Sequence, residues 1–456
     1  MTNAGFGRLS DAPASFLVSG ARVVDPSRGL DELGDVGVRD GVIVATADMP
    51  PDAQRIDGNG LVLAPGFCDL HVHLRDPGDP AAEHLESGAR AAAHGGFTTI
   101  CAMPNTEPPI DDAKAVAALI ERARDAACRV RIIGAVTSGR GGEVLADLAG
   151  MAAAGAIGSS DDGAAVPGKT LAGEALTALA TIDRPLIEHA EDPALANGGV
   201  MRAGPVAAAL GLRGWRAESE VAVVERDLAL AEQTGARVHV THLSTRGALA
   251  AIRGAKARGV AVTCDVTPHH LALTEAWIAG DRRFAWEEPG PIGAGASRAF
   301  DGACRVNPPL GTHEDALALL EGVADGTVDA IATDHAPHPA NRKLVPFDEA
   351  APGLIGLETA LSIGLAAVAA GRLTLVALLG ALSTRPAAII GERRGLAIGD
   401  AADLVLFDPD ERWRVETATL ASVSSNTPLL EMELPGVVRM TVAEGRITHW
   451  SAAPGT

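Results

Sequence analysis

The middle of the chain alternates between short apolar runs that end in polar or charged residues and Ala-rich stretches of helical period. FTTICAMP, RVRIIGAV, AIGSSDD, PLIEHAE, RVHVTHLS, VAVTCDVTPHH and DAIATDHAP read as strands; DDAKAVAALIERARDAA, SEVAVVERDLALAEQTG and EDALALLEGVADG read as helices between them. Strands separated by helices pair in parallel, because each crossover returns the chain to the same end of the sheet. Strands apolar on both faces must also be covered on both sides. Seven or eight such units predict an α/β fold of the (β/α)8 TIM-barrel kind. In such a barrel, function collects at the C-terminal ends of the strands.

The two ends of the chain read differently. SFLVSGARVV, DVGVRDGVIVA and QRIDGNGLVLA near the start, and AADLVLFDP and VVRMTVAEGRITHW near the finish, are β-rich runs punctuated by Gly and Asp. The expectation is a catalytic barrel over residues 64–394 and one small β-sandwich built from both termini, residues 1–63 and 395–456. From Ala279 to Gly302 the chain is rich in Gly, Ala and charge, and is expected to be a long mobile surface loop near the barrel mouth.

Composition narrows the function. The 456 residues carry a formal net charge of −20 with no run of Lys or Arg, so nucleic acid and membrane surfaces are poor partners. No apolar stretch approaches the ~18 residues of a membrane helix, and MTNAGFGRLSDAPAS lacks the pattern of a signal peptide. Cys68, Cys101, Cys128, Cys264 and Cys304 lie far apart without a CxxC pair, which fits a reducing, cytoplasmic setting. An acidic substrate would need a local cationic site.

The strand ends carry the chemistry. Within GFCDLHVHLRDPG (residues 66–78), alternate side chains share a face, so His71 and His73 point the same way with Arg75 beyond them. Two imidazoles on one face can grip a divalent metal, but HxH alone is equally well two unrelated polar residues. PLIEHAE adds His189, HVTHLST adds His242 and AIATDHAPH adds Asp334. Singly, each is more often a satisfied polar residue. Four strand ends offering His, His, His and Asp in barrel order point to one metal centre. Neutral imidazoles with a carboxylate suit Zn2+, with Mn2+ or Co2+ as substitutes.

DLHVHLRDPG, AMPNT, SDDG, HLST, TPHHL, NPPL, ATDHAPH and GLIGLET occur in this order, followed by GLAIGDAADLVLFDP. Over nearly its full length the chain therefore resembles the class I, larger bacterial type of dihydroorotase within the amidohydrolase superfamily. The resemblance implies reversible cyclisation of N-carbamoyl-L-aspartate to L-dihydroorotate in de novo pyrimidine (UMP) biosynthesis. It implies two Zn2+ per subunit bridged by Asp162 and a hydroxide. His71, His73 and Asp334 would hold one ion, and His189 and His242 the other. Asp334 would be the catalytic proton shuttle. Many relatives bridge the ions with a carboxylated lysine, but GAIGSSDDG ends its strand without one. Asp161 is the alternative bridge, and Lys169 reads as a solvated loop residue.

For the substrate carboxylate Arg75 comes first, since a guanidinium pairs bidentately with a planar anion. The resemblance adds His73, Asn105, Asn307 and His338 as substrate contacts. It also adds Pro352 and Gly353, where APGLIGLET departs from the family's usual Phe-Gly pair. Proline has no N–H, so a backbone donor there would have to be Gly353. His269 and His270 read as structural. The partner expectations are the small-molecule substrate, a homodimer and association with aspartate transcarbamoylase. The rival readings are a hydantoinase, dihydropyrimidinase or allantoinase, and a non-catalytic partner of the transcarbamoylase.

Overall fold

The computed structural model describes residues 13–291 and 296–451. The N-terminal β-rich runs form β1 (Phe16–Asp25), β2 (Leu30–Arg39), β3 (Val42–Val44), β4 (Arg55–Asp57) and β5 (Val62–Pro65). β5 runs two residues past the boundary expected at Leu63, and the first strand of the middle region starts at Phe67.

The middle strands are β6 (Phe67–Val72), β7 (Phe97–Ala102), β8 (Arg129–Ile132), β9 (Leu186–Glu188), β12 (Val238–Val240), β13 (Val262–Val266) and β14 (Ala330–Ile331). A small outlying pair, β10 (Met201–Arg202) and β11 (Gly214–Trp215), sits apart from them. β6–β7–β8 form one parallel sheet and β14–β13–β12–β9 another. The run AIGSSDD is not a regular strand; it joins through isolated parallel bridges of Ser159 to Gly134 and to Leu186. A further parallel bridge joins Val72 to His335.

Helices lie between these strands as the alternation predicts, and their caps explain where strand ends hand over to helix starts. Thr245 caps the helix Arg246–Ala257 by accepting from Ala248 N–H, Thr267 caps Pro268–Ala272, and Asp112 caps Ala113–Arg122. Thr312 and Asp315 form a reciprocal capping box at His313–Asp325. The 17-residue helix Glu218–Thr234 stops at Gly235, whose φ of +71° costs no Cβ clash. No helix among the described residues is long and apolar enough to cross a membrane.

The C-terminal runs form β15 (Leu404–Arg414), β16 (Glu433–Ala443) and β17 (Arg446–Trp450). β15 pairs antiparallel with β5, so both termini build one unit, as expected. Within it the strands hydrogen-bond as one mixed eight-stranded sheet, with bulges at Val18/Ala21 and Asp408/Arg412. One face, including Phe16, Val18, Leu63, Leu404 and Met440, packs in its own core. Val24, Val62, Ala64, Val405 and Phe407 face the other way into the main core around the middle strands.

The stretch 279–302 corrects the expectation of a free loop, as far as it is described. Ala279 and Ala285 are buried, Phe284 packs between Trp277 and Trp286, and Arg282 pairs with Asp301 at 2.7 Å. Residues 292–295 lie outside the described chain.

Candidate metal centre and active site

The six predicted ligands come from five separate chain segments, His71 and His73 sharing the end of β6, and converge. His71 Nε2 and His73 Nε2 stand 3.1 Å apart, and Asp334 Oδ1 lies 3.0 Å from His73 Nε2 and 3.4 Å from His71 Nε2. Asp162 Oδ1 lies 3.4 Å from His71 Nε2, 3.5 Å from His242 Nε2 and 3.7 Å from His189 Nδ1, while Oδ2 is 3.5 Å from His73 Nε2. His189 Nδ1 and His242 Nε2 are 3.0 Å apart. All six side chains are buried. Asp162 therefore sits between two donor groups, His71–His73–Asp334 and His189–His242. Asp161, its neighbour, points elsewhere: it accepts from the N–H groups of Val136 and Thr137 at 2.9 and 3.1 Å and from the Thr137 hydroxyl.

Hydrogen bonds behind the rings orient them. The Thr241 hydroxyl donates to Asp265 Oδ2 at 3.0 Å, so its oxygen accepts from His71 Nδ1–H at 2.7 Å. Asn105 donates through Nδ2 to Asp162 Oδ2 at 3.1 Å, so its Oδ1 accepts from His73 Nδ1–H at 2.8 Å. Both imidazoles thus turn an Nε2 lone pair toward each other and toward two carboxylates, an arrangement that repels itself unless a cation sits between. Charge tells the same story. Burial opposes protonation of His71, yet Asp162 and Asp334 raise it to about 9, and burial is likewise outweighed at Asp162 and Asp334, both held below the usual carboxylate range. Asp162 Oδ1 is buried without any hydrogen bond. The ligand atoms of His71, Asp162 and His242 lie within 4.8 Å of one another, as do those of His71, His73 and Asp334. This donor set fits a metal cation.

Three residues of the site take a left-handed backbone. Arg75, His242 and Asp334 adopt φ of +53°, +39° and +46°. A non-glycine residue in that region costs about 1–3 kcal/mol and persists where its surroundings impose it.

The expected substrate residues lie on one side of the cluster. Arg75 Nε donates to Pro337 O at 3.2 Å, and its Nη2 is 3.4 Å from His338 Nε2. His338 Nε2–H donates to Pro352 O at 2.9 Å, and burial with the Arg75 charge pushes its imidazole down to about 3, so it stays neutral and the cationic role falls to Arg75. Asn307 Nδ2 lies 3.3 Å from His189 Nε2. The free donor expected at Gly353 is corrected: its N–H donates to Arg305 O at 2.8 Å, and its own carbonyl accepts from Lys343 and Asn426. Lys169 is exposed at the first position of the helix Lys169–Thr181.

Sequence reasoning missed the residues that hold the ligands. Asp69 accepts from the N–H groups of His71 and Thr333 and from the Thr333 hydroxyl, and burial raises it to about 6. Its signal was available, since a lone acid inside FCDLHV can be buried only if it is hydrogen-bonded. Asp265 accepts from His239, Thr241 and the His242 N–H. His269 is buried with both ring nitrogens unpartnered, and burial lowers it to about 4. His270 is structural as expected, bonded to Thr267 and to Pro308 O.

Comparison with known proteins follows the same line. A family model described as Dihydro-orotase-like matches residues 60–248. The chain is 44% identical to a dihydroorotase of Anaeromyxobacter dehalogenans over 439 residues, covering 95% of this chain and 98% of that protein. It is 42% identical to a dihydroorotase of Syntrophotalea carbinolica over 95% and 99% of the two chains. Among solved structures, L-hydantoinase (dihydropyrimidinase) from Arthrobacter aurescens superposes with a TM-score of 0.81 at 25% identity over 96% of each chain. The dihydropyrimidinase from Brevibacillus agri, at 22% identity, 95% coverage of each and a TM-score of 0.76, shares the fold. With near-full-length identity above two-fifths to curated relatives, the chain belongs to the dihydroorotase family.

Proposed function

We propose that the chain catalyses the reversible cyclisation of N-carbamoyl-L-aspartate to L-dihydroorotate in pyrimidine synthesis, at a metal centre held by His71, His73, Asp162, His189, His242 and Asp334. The observation that carries this reading is the convergence of four imidazoles and two carboxylates beside a guanidinium, in a chain with dihydroorotase relatives. The strand ends sit, on this reading, at the mouth of a (β/α)8 barrel. Bridges at Val72–His335, Gly134–Ser159 and Ser159–Leu186 join the free edges of the two parallel sheets and support closure. Barrel and terminal sheet are taken as the two domains, parting near Gly66 and Gly395.

Two Zn2+ per subunit are the metals proposed, which His71, His73 and Asp334, and His189 and His242, would hold together with Asp162; when bound, they would supply an acidified water and polarise the ring carbonyl. Asp334 Oδ1 faces His71 and His73, which leaves Oδ2 to take the attacking water's proton and return it to the ring nitrogen that departs. In the biosynthetic direction the same oxygen gives and takes the proton in reverse order. Arg75 pairs with the substrate carboxylate, Asn105 and His338 line its pocket, and Asn307 meets the ring beside His189. Lys169, exposed at a helix start, leaves the bridge to Asp162. Five unpaired, buried cysteines favour a cytoplasmic setting. A homodimer or a complex with aspartate transcarbamoylase would leave the site intact, since one chain supplies every residue in it.

The test is Asp334→Asn, with bound zinc and initial rates measured in both directions. An amide cannot take the proton, so turnover should fall by about 10²–10⁴-fold or more even where metal is retained. A variant that keeps its metal and more than about a tenth of its activity contradicts the role of Asp334.

A further inference from the structure

Two buried side chains outside the set of proposed metal ligands meet on one carbonyl. Lys343 ends the short helix Ala340–Lys343 and is 6% exposed, yet no carboxylate among the described residues pairs with it. Its ammonium donates instead to three backbone carbonyls: Ala351 O at 2.7 Å, Gly353 O at 2.8 Å and Arg305 O at 3.1 Å. An ammonium has three N–H donors, so its capacity is fully spent. A buried cation with no carboxylate in hydrogen-bond reach is costly to hold, and burial lowers this amine to about 7. Packing alone would have been served by a methionine.

Asn426 reaches the same place from the other side. It lies between β15 and β16, on a loop pinned by Ala421 N–H to Glu358 at 2.7 Å and by the Ser424 hydroxyl to Ala82 O at 2.7 Å. Its Oδ1 accepts from His338 N–H at 3.1 Å, and its Nδ2 donates to Ala336 O and Gly353 O, both at 3.1 Å. Gly353 O thus receives one bond from each residue. The turn it belongs to is tight: φ at Gly353 is +133°, and a Cβ there would stand 2.7 Å from Ala336 Cβ and 3.1 Å from His338 Nε2. The preceding carbonyl, Pro352 O, is the acceptor that orients the His338 ring, 3.4 Å from Arg75.

We propose that Lys343 and Asn426 are positioning residues that clamp the Pro352–Gly353 turn from both sides and so set His338 and Arg75 for the substrate carboxylate. The proposal rests on the reading of Arg75 and His338 as the anion-recognising pair. Neither clamp residue touches the metal ligands, so their removal acts on substrate binding and leaves the metal in place. Because both act through Gly353 O, their effects are not independent.

The experiment compares wild type, Asn426→Asp, Lys343→Met, their double variant and Arg75→Met, with metal content, kcat and KM for dihydroorotate on each. Asn426→Asp keeps the acceptor for His338 N–H but sets a carboxylate against two carbonyls. Each single clamp variant should raise KM about tenfold or more while kcat moves less than about threefold and bound metal is unchanged. The double variant should be little worse than the poorer single one. Should the aspartate variant fail to fold, Asn426→Ser, which retains one donor, should raise KM about threefold or more. Folded variants with wild-type KM, or single effects that multiply in the double variant, overturn the clamp. An Arg75→Met enzyme with wild-type KM overturns the underlying reading of the pocket instead; a raised KM there with unaltered clamp variants refutes the clamp alone.

Discussion

At the scale of single residues, the proposed chemistry turns on Asp162 and Arg75. Asp162 is buried beside four imidazoles with an oxygen that makes no hydrogen bond, whereas Asp161 spends both oxygens on Val136 and Thr137. Asp162→Ala should therefore lose bound metal and nearly all turnover, while Lys169→Ala should keep both; metal analysis beside a rate assay reads this. Reconstitution should not need bicarbonate. Arg75→Met should weaken dihydroorotate binding by roughly 2–5 kcal/mol, because an anion would lose its buried charged partner; a KM titration measures it. The ligands themselves were legible in the sequence, since strand alternation pairs His71 with His73 and the remaining acids and imidazoles end apolar runs. The choice between Asp161 and Asp162 was not, because adjacent residues at an irregular strand end have no periodicity to separate them. The free donor expected of Gly353 failed for a related reason: its N–H is taken by Arg305, nearly fifty residues away in sequence.

At the scale of elements, bonds between strands hold several of the site residues. Asp265, near the end of β13, fixes Thr241 and the His242 N–H just beyond the adjacent β12, and Thr241 in turn fixes His71, which lies within β6 of the other sheet. Asp265→Asn puts an amide donor where two donors already point. Outer partners of metal-binding histidines are typically worth about 10–100-fold in metal affinity. Zinc competition against a chelator should show a loss of that size with the fold retained, and unchanged affinity would mean that the Thr241–Asp265 pair does not orient His71. Most strands and the long helices are where apolar period and caps put them. The stretch around Ser159 resisted that reading because its pairing consists of single bridges rather than a ladder. The 279–302 stretch did so because Trp277, Phe284 and Trp286 fold part of it into a satellite core that composition hides.

At the scale of the whole molecule, both termini pair in one sheet, and charged side chains tie that sheet to the middle strands. Arg394 is buried and bonds Thr99 on β7, Glu392 and Asp403, and Arg129 on β8 also reaches Asp403. The β-rich ends were legible as one unit, but the strand order that joins them was not, because it depends on which edge β15 chooses. A histidine pair on this side makes stability depend on pH. Burial and the neighbouring His94 push His449 down to about 3, while Glu358 outweighs burial to raise His94. Below pH ~6.5 the unfolded chain protonates His449 and the folded chain does not, so His449 by itself removes up to about 2–3 kcal/mol of stability near pH 4.5, opposed by His94, whose raised proton affinity favours the folded chain as pH falls. His449→Gln should flatten that acid limb in denaturant melts, and an unchanged limb would contradict it. The central proposal is a substrate, a carboxylated six-membered ring, that Arg75 would recognise beside the metal centre. Its most direct test is the zinc-loaded wild-type enzyme assayed side by side on dihydroorotate and on dihydrouracil, the same ring without the carboxylate. Ready turnover of dihydroorotate with negligible turnover of dihydrouracil is the predicted result; comparable rates on both would contradict the account and favour a hydantoinase-like activity.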